Sequence, residues 1–338
     1  MSATAVGTGT PAVAVQALAK RYGDFRALSG LSFEVPRGEI FGFVGPNGAG
    51  KTTTLRILAT LLDPTSGRAF IDGVDVGRDP YAVRDRMGYM PDFFGVYERL
   101  TAGEYLAFYA RCYDIPSSRV GRVVADLLEL IRLPDRRDTP VDALSRGMKQ
   151  RLCLARALVH DPAVLLLDEP ASGLDPLARV ELRELLKELR EMGKTILISS
   201  HILPELTELC TSFGIILGGR MLASGPLESL RSVASGRRVR VRVGGDVEKA
   251  SELAAGIAGV RGVTTSGDTI EIGHEGGEEE GGALLRALIE AGIGVRAFTP
   301  VEEDLETAFL RVMGEDGSAG EELAANAAAA IPPEEAAP

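Results

Sequence analysis

The sequence predicts an α/β fold: one large domain built on a largely parallel β-sheet, followed by a smaller α+β module. Two observations carry this prediction. From Val13 to about Leu230, β-rich apolar segments alternate with helical patterns, which is typical of a parallel sheet with crossover helices. From Arg237 onwards, the pattern changes to a shorter series of strands and amphipathic helices. A chain of 338 residues, 45% of them hydrophobic, is long enough to bury both cores.

Three strands of the large domain stand out. They are EIFGFVG at 39–45, AVLLLD at 163–168 and TILISS at 195–200. The last two are continuous apolar runs, as expected of strands that are covered on both faces. Leucines recur at helical spacing between them, from Ala178 to Met192, so we predict a crossover helix there. A helical insertion without strands is predicted at about 98–160.

The C-terminal module is predicted over residues 237–312. Its first segment, RRVRVRV, alternates strictly, and the elements then follow the order βαββαβ, which suggests a ferredoxin-like fold. A last helix is predicted near Leu305 to Val312. The alternating arginines fit the solvent face of an antiparallel strand or a basic binding patch, and the first arrangement is the commoner one.

The remaining boundaries follow from composition. We predict the large domain over residues 12–232, after a short mobile tail at 1–11. Residues 313–338 are rich in Ala, Glu and Pro and offer too little apolar surface to offset the entropy of ordering. This tail is predicted to be disordered.

Composition also argues against several classes of protein. The net charge of -11 does not suit a general nucleic-acid or anionic-lipid binder. The three cysteines are widely spaced and suggest neither a disulfide framework nor a zinc site. The most apolar stretch, 152–167, contains charged residues and is too short to span a bilayer, and the first residues lack the features of a secretory signal. A membrane role would therefore use a partner's helices.

The strongest motif is GPNGAGKT, residues 45–52, which matches the phosphate-binding loop GxxxxGK[ST] between a strand and a helix. Its glycines let the backbone wrap around phosphate oxygens, while Lys51 supplies a cation and Thr52 a hydroxyl for Mg²⁺. The following helix points the positive end of its dipole at the phosphates. The predicted nucleotide-binding residues here are Gly45, Pro46, Asn47, Gly48, Ala49, Gly50, Lys51, Thr52 and Thr53.

A second motif is the run VLLLDEP, residues 164–170, in which an apolar strand ends in two adjacent carboxylates. Charged groups are seldom placed on a buried strand without a function. Asp168 is predicted to orient Mg²⁺ through its water shell, and Glu169 to polarise the water that attacks the γ phosphate. A plain capping role for the pair is the alternative.

These motifs resemble those of the nucleotide-binding subunits of ABC transporters, over about Val13 to Leu230. The segment LSRGMKQR, residues 144–151, is similar to the family signature LSGGQxxR, which other phosphate-loop ATPases lack. In the family this segment caps the γ phosphate bound to a second subunit. The resemblance therefore implies that Ser145 and Gly147 act in trans, as a hydroxyl and an amide at a helix N-terminus.

Weaker matches accompany the signature. Tyr22 resembles the aromatic residue that stacks on adenine, and His201, in SSH, resembles the histidine that touches the γ phosphate. SGLD, residues 172–175, resembles the D-loop that contacts the second subunit, which implies a role for Asp175 at the nucleotide. The order and spacing of these residues around two strong motifs favour the functional interpretation.

Three positions depart from the family pattern. Arg146 and Met148 stand where the family usually has glycine and glutamine, and Asp92 where it usually has glutamine or glutamate. The family residue at position 92 reaches Mg²⁺ and the attacking water, and the loop after it meets the permease. Aspartate keeps an oxygen ligand for Mg²⁺, so Asp92 is predicted to serve both metal and catalysis. The apolar residues after it fit a core or a docking patch equally well: Phe93, Phe94 and Tyr97.

The resemblance implies a function. The chain would bind ATP and Mg²⁺, dimerise with a second copy or a related ATPase subunit, and drive a transmembrane permease carried on a separate chain. It would sit peripherally on the cytoplasmic face of the cell membrane, soluble when separated from the permease, with no nucleic acid as partner. The single ATPase unit and the small C-terminal module most resemble ABC-2 type export systems.

Two alternative functions fit the sequence less well. A soluble ABC ATPase that acts on ribosomes or DNA typically carries two cassettes, inserted coiled coils or zinc modules, and this chain has one phosphate loop, one signature and no CxxC pair. A regulatory cassette that does not hydrolyse ATP is disfavoured by the presence of Glu169 and His201. The transport motor is therefore the favoured function.

Overall fold

The computed structural model divides into two compact units, the first ending at Leu227 and the second beginning at Glu228. The residues it describes are 10–92, 99–202, 206–227, 238–257, 259–274 and 278–301. The predicted tails at 1–11 and 313–338 and the helix near Leu305 lie wholly or almost wholly outside these ranges.

The first unit contains two sheets. Its strands are β1 Val13–Tyr22, β2 Phe25–Val35, β3 Ile40–Val44, β4 Ser66–Ile71, β5 Val74–Asp75, β6 Met87–Met90, β7 Val164–Asp168, β8 Thr195–Ser200, β9 Ser212–Leu217 and β10 Arg220–Pro226. One sheet has the strand order β10-β9-β3-β8-β7-β6 and is parallel except for β10. All residues of β3, β7 and β8 are buried, which for β7 and β8 confirms the prediction from their continuous apolar runs.

The second sheet is antiparallel, with the order β2-β1-β4-β5, and the sequence analysis did not predict it. The alternation of β1 is broken by a bulge at Ala17, whose backbone adopts φ +46° and whose amide donates to the Ser32 hydroxyl instead of to a backbone oxygen (2.9 Å). The two sheets pack through aromatic rings: Phe33 of β2 stacks on Phe41 and Phe43 of β3, with centroids 5.5 and 5.4 Å apart.

Six helices are described in the first unit. They are α1 Lys51–Leu58, α2 Pro80–Arg84, α3 Ala102–Cys112, α4 Ser117–Leu130, α5 Arg146–Leu158 and α6 Pro176–Glu191. Helices α3, α4 and α5 lie between β6 and β7, in the stretch predicted to be a helical insertion. A capping box of Thr101 and Glu104 begins α3, and Asp175 caps α6, which has proline at its first position. Throughout the described part of the chain, the helices are too short or too polar to cross a bilayer.

The second unit has the predicted element order. Its elements are β11 Arg238–Val243, α7 Val247–Ala255, β12 Val260–Ser266, β13 Thr269–His274, α8 Glu278–Glu290 and β14 Val295–Val301. They form an antiparallel sheet of order β12-β13-β11-β14, whose valine and isoleucine side chains pack with both helices. Arg240 and Arg242 of β11 are exposed, and Arg240 donates to Glu271 across the sheet (2.9 Å). The arginines thus lie on the solvent face; the ferredoxin-like assignment and the domain limits stay predictions.

We expect a chain that ends at Leu230 to fold and to bind ATP with an affinity close to that of the full chain. The nucleotide motifs and the core of the first unit lie before this point, and the hydrophobic core of the second unit is formed from its own strands and helices. Thermal melting and titration with a fluorescent ATP analogue would measure both properties. A truncated chain that melts cooperatively but binds no nucleotide would contradict the division into domains.

Candidate active site

The loop from Gly45 to Gly50 joins β3 to α1 and requires glycine at three places. A Cβ on Gly45 would lie 2.3 Å from the Ile216 carbonyl oxygen, and Gly48 and Gly50 have φ angles of +82° and +112°. The backbone turn after β9 is hydrogen-bonded to the loop, because the Gly219 amide donates to the Ala49 carbonyl (2.9 Å). A residue with a side chain at any of these three glycine positions would therefore distort the backbone of the loop.

Helix α1 begins directly after this loop. Among the described residues no side chain caps its N-terminus, which leaves the first-turn amides and the positive end of the helix dipole facing the loop. The side chains of Thr52 and Thr53 are half-buried there. This arrangement can bind phosphate oxygens through backbone amides.

The Lys51 side chain is buried and lies inside the loop. Its Nζ donates to the Gly45 carbonyl at 2.5 Å and to the Pro46 carbonyl at 3.2 Å, and it lies 3.4 Å from Oε1 of Glu169. The lysine charge is thus compensated by Glu169 and by carbonyl oxygens of its own loop.

Asp168 ends β7 at the carboxyl edge of the parallel sheet, where it is almost fully buried. Its Oδ1 accepts hydrogen bonds from the hydroxyls of Ser199 (2.7 Å) and Thr52 (3.2 Å). Its Oδ2 is buried and has no hydrogen-bond partner among the described residues. Burial raises the pKa of Asp168, the two hydroxyls oppose this shift, and the negative charges of Asp92 and Glu169 add to it.

Glu169 follows in a left-handed backbone conformation, with φ +48°, which is uncommon for a residue other than glycine. Its amide donates to the Ser199 hydroxyl at 3.0 Å, and its Oε2 lies 2.8 Å from Nδ1 of His201. Its carboxylate is therefore held between Lys51 and His201. The local strain places the side chain at the mouth of the sheet instead of along the strand.

Ser199 belongs to the candidate site, although no sequence motif predicted it. It is fully buried on β8 beside Asp168 in the parallel ladder, and its hydroxyl contacts both Asp168 and the amide of Glu169. A hydroxyl on a strand that is covered on both faces needs a hydrogen-bonding partner, and this requirement is the signal that could have identified it.

Of the remaining predicted residues, Asp175 caps α6 and the others lie at three other places. Ser145 caps α5, accepting from the Met148 amide (3.3 Å), and Gly147 packs so closely on α6 that a Cβ would lie 2.9 Å from Cβ of Ala178. Tyr22 ends β1 with 47% of its surface exposed. Asp92 is exposed just beyond β6, close enough for its charge to act on Asp168. The predicted docking residues that follow it, within 93–98, lie outside the described residues.

Comparison with known proteins gives these contacts a context. The sequence profile of a family described as "ABC transporter" matches residues 28–172, which contain the phosphate loop, the signature and the Asp168-Glu169 pair. A protein named Nod factor export ATP-binding protein I, from Ralstonia nicotianae, is 40% identical over 261 residues, which cover 77% of this chain and 81% of the relative. The chain belongs to the ABC transporter family. This confirms the resemblance and the ATPase activity predicted from it.

Further relatives have the same character. The daunorubicin resistance ATP-binding protein DrrA3 of Streptomyces coeruleorubidus is 36% identical, over 90% of this chain and 96% of the relative. A solved structure titled "Structure of ATP binding subunit of ABC transporter" superposes with a TM-score of 0.60 at 34% identity, covering 66% of this chain and 92% of that one. The ABC ATPase fold of the first unit is thereby confirmed, and the chain is an ABC-type ATPase that binds ATP.

We expect Asp168→Asn to raise the melting temperature of the nucleotide-free protein at neutral pH. Because burial raises the pKa of Asp168 above its unfolded value, its ionised form is disfavoured in the folded chain. This penalty is fully present above the folded pKa and disappears as the pH falls toward the unfolded pKa, so the stability difference between the two proteins should shrink in acid. The amide keeps the Oδ1 acceptor for Ser199 and Thr52.

Thermal melting from neutral to acidic pH, without divalent cations, would measure this difference. Ser172→Ala is a suitable control, because the Ser172 side chain lies outside the contacts of Asp168. Equal melting temperatures of wild type and Asp168→Asn at neutral pH would contradict the assigned penalty.

Proposed function

We propose that this ABC ATPase dimerises around two Mg-ATP molecules and drives a transmembrane permease carried on a separate chain, for export. The observation that carries the proposal is the meeting of Lys51, Asp168 and Glu169 at one edge of the parallel sheet, beside the uncapped start of α1. Hydrolysis of the γ phosphate requires a cation that binds the phosphates, a ligand for the metal ion and a base that activates water.

Phosphate binding would use Lys51 and the first-turn amides of α1. The Nζ of Lys51 now bonds the Gly45 and Pro46 carbonyls, and phosphate oxygens would compete with them for the same cation. When Lys51 turns to the β and γ phosphates, its attraction on Glu169 weakens. Nucleotide binding would thus release the carboxylate for the attacking water.

The residues present fit a magnesium ion. Asp168 offers a buried oxygen without a hydrogen-bond partner among the described residues, and the Thr52 hydroxyl lies 3.2 Å from its other oxygen. Bound there together with phosphate oxygens, Mg²⁺ would supply neutralisation of the charge that develops on the γ phosphate. Asp92 is a further oxygen donor near this place.

Glu169 would act as the general base and His201 as its positioning residue. The 2.8 Å contact between Nδ1 of His201 and Oε2 of Glu169 can hold the carboxylate toward the γ phosphate, while its other oxygen faces Lys51. The left-handed backbone of Glu169 fixes the direction in which its side chain leaves the strand.

A second copy would complete the site. Ser145 and Gly147 lie at the start of α5, whose first turn can bind an anion, and the Ser145 hydroxyl accepts from the Met148 amide of the same helix. We infer that they cap the γ phosphate of the partner, with Asp175 nearby at the start of α6. Tyr22, exposed at the end of β1, would stack on adenine with the ring face opposite the Lys20 ammonium, which lies 5.3 Å from the ring centroid.

The proposals of export and of a separate permease are based on the names of the relatives. One is named for Nod factor export and another for daunorubicin resistance. A chain of this kind would act at the cytoplasmic face of the cell membrane, with its second unit stabilising or regulating the dimer. Because Arg240 is paired with Glu271 on an ordinary solvent face, we propose no nucleic-acid partner.

We expect Glu169→Gln to abolish ATP hydrolysis and to accumulate an ATP-bound dimer. The amide leaves phosphate binding intact but accepts no proton from water. Size-exclusion chromatography with Mg-ATP would detect the dimer. The contrasting variant is Lys51→Ala, which removes a charge-assisted phosphate contact and should weaken ATP binding by roughly ten- to hundredfold, or about 1.5 to 3 kcal/mol.

Normal hydrolysis by the Glu169→Gln protein would refute the role of Glu169 as base. A variant that binds ATP yet stays monomeric at all protein concentrations would count against the dimer, and retention of full ATP affinity in Lys51→Ala would count against the phosphate role of Lys51.

We expect Asp92→Ala to leave ATP affinity within about threefold, less than 1 kcal/mol, while removing most of the permease's stimulation of hydrolysis. Asp92 lies beyond the carboxyl end of β6, where the chain leaves the sheet, and its charge acts on Asp168 without a hydrogen bond to it. ATPase assays with and without the permease in membranes would separate basal from stimulated activity.

The control is Asp92→Gln, which restores the usual family residue and should retain stimulation. An equal loss of basal and stimulated activity in Asp92→Ala would mean that the residue serves chemistry alone. Full stimulation of Asp92→Ala by the permease would mean that other residues couple hydrolysis to the permease.

A further inference from the structure

Arg146 makes a contact that glycine, the usual family residue at this position, could not make. It is the first residue of α5, and its Nη2 donates to the Ser172 carbonyl at 3.0 Å. The guanidinium also lies flat against Gly173, where a Cβ would be 2.4 Å from its Cζ. Gly173 has φ +66°, so both its conformation and this close approach call for glycine.

Two further contacts join α5 to the same region. The buried side chain of Gln150 donates to the Pro170 carbonyl at 2.5 Å, and Arg151 pairs with Glu181 of α6 at 3.3 Å. The loop at 170–175 therefore contacts α5 at Pro170, Ser172 and Gly173, and the helix after the loop contacts α5 through Glu181. It is short and tightly turned, because the Ser172 amide donates to the Glu169 carbonyl (3.0 Å).

We propose that Arg146 is a positioning residue that couples the start of α5 to the loop at 170–175 and, through it, to Glu169 of the same chain. The inference rests on the proposed dimer, in which Ser145 binds the partner's γ phosphate. A shift of the first turn of α5 would pull on the Ser172 carbonyl, and one hydrogen-bonded turn connects Ser172 to Glu169. Each chain would thus adjust its own base according to the nucleotide bound by its partner.

The geometry favours positioning over direct phosphate binding by the guanidinium. Arg146 is exposed, its Nη2 already donates to the Ser172 carbonyl, and the backbone of Gly173 lies against the guanidinium. A lysine can replace the hydrogen bond, but it lacks the flat group that covers Gly173. The two substitutions of Arg146 therefore separate the two contacts.

The test uses the full chain with Arg146→Ala, Arg146→Lys and the control Arg122→Ala. Arg122 lies on α4, where its side chain is 87% exposed and pairs only weakly with Asp126 (3.7 Å). Hydrolysis would be measured over a range of ATP concentrations to obtain kcat, KM and the Hill coefficient. Hydrogen exchange of peptides covering 170–175 would report on the loop without requiring turnover.

For Arg146→Ala we expect kcat to fall about tenfold, the size of one lost charge-assisted hydrogen bond, with KM within about threefold of wild type. The Hill coefficient should fall toward 1, and the loop peptides should exchange faster. Arg146→Lys should lie between wild type and Arg146→Ala, and Arg122→Ala should match wild type in every measurement.

Two results would overturn the proposal. A large rise in KM at unchanged kcat would make Arg146 a phosphate ligand, and unchanged kcat, cooperativity and loop exchange would leave it without a positioning role. A wild-type chain that fails to dimerise with Mg-ATP would instead refute the proposed function. The exchange comparison between Arg146→Ala and wild type would still decide whether Arg146 holds the loop.

Discussion

The buried carboxylate of Asp168 is the constraint on which the active site depends. A charge at the end of a strand covered on both faces needs compensation, and the structure supplies it with the hydroxyls of Ser199 and Thr52, from β8 and α1. These bonds bring three separate segments of the chain to one point. They still leave Oδ2 without a partner among the described residues. This oxygen is therefore available to a cation or to a hydrogen-bond donor of a bound ligand.

The parts of this arrangement that the sequence predicted are those encoded locally. Continuous apolar runs identified β7 and β8 because burial on both faces leaves no place for polar alternation. The phosphate loop was recognisable because residues with side chains rarely adopt the backbone conformation of Gly48 and Gly50, so glycine is favoured there. Strict alternation in β11 likewise predicted which of its side chains face solvent.

The parts that escaped prediction depend on contacts between distant segments. The bulge at Ala17 breaks the alternation of β1, and its amide is satisfied by Ser32 from another strand, so β1 left no regular periodic signal. Ser199 is one of two serines in TILISS, and only the ladder with β7 shows which of them meets Asp168. From the sequence, Arg146 was only a departure from the family signature, and its contact with Gly173 is visible only in the fold.

The ion pair of Lys51 and Glu169 connects binding to chemistry in the proposed function. Both side chains are largely buried, so each charge depends on the other for compensation, and neither can be withdrawn without cost. Phosphate oxygens can replace Glu169 as partners of Lys51, whereas His201 remains beside the glutamate. The base would therefore be neutralised by lysine in the absence of nucleotide and released toward water only after the phosphates are bound. An empty site would in this way hold its base away from the position it needs for catalysis.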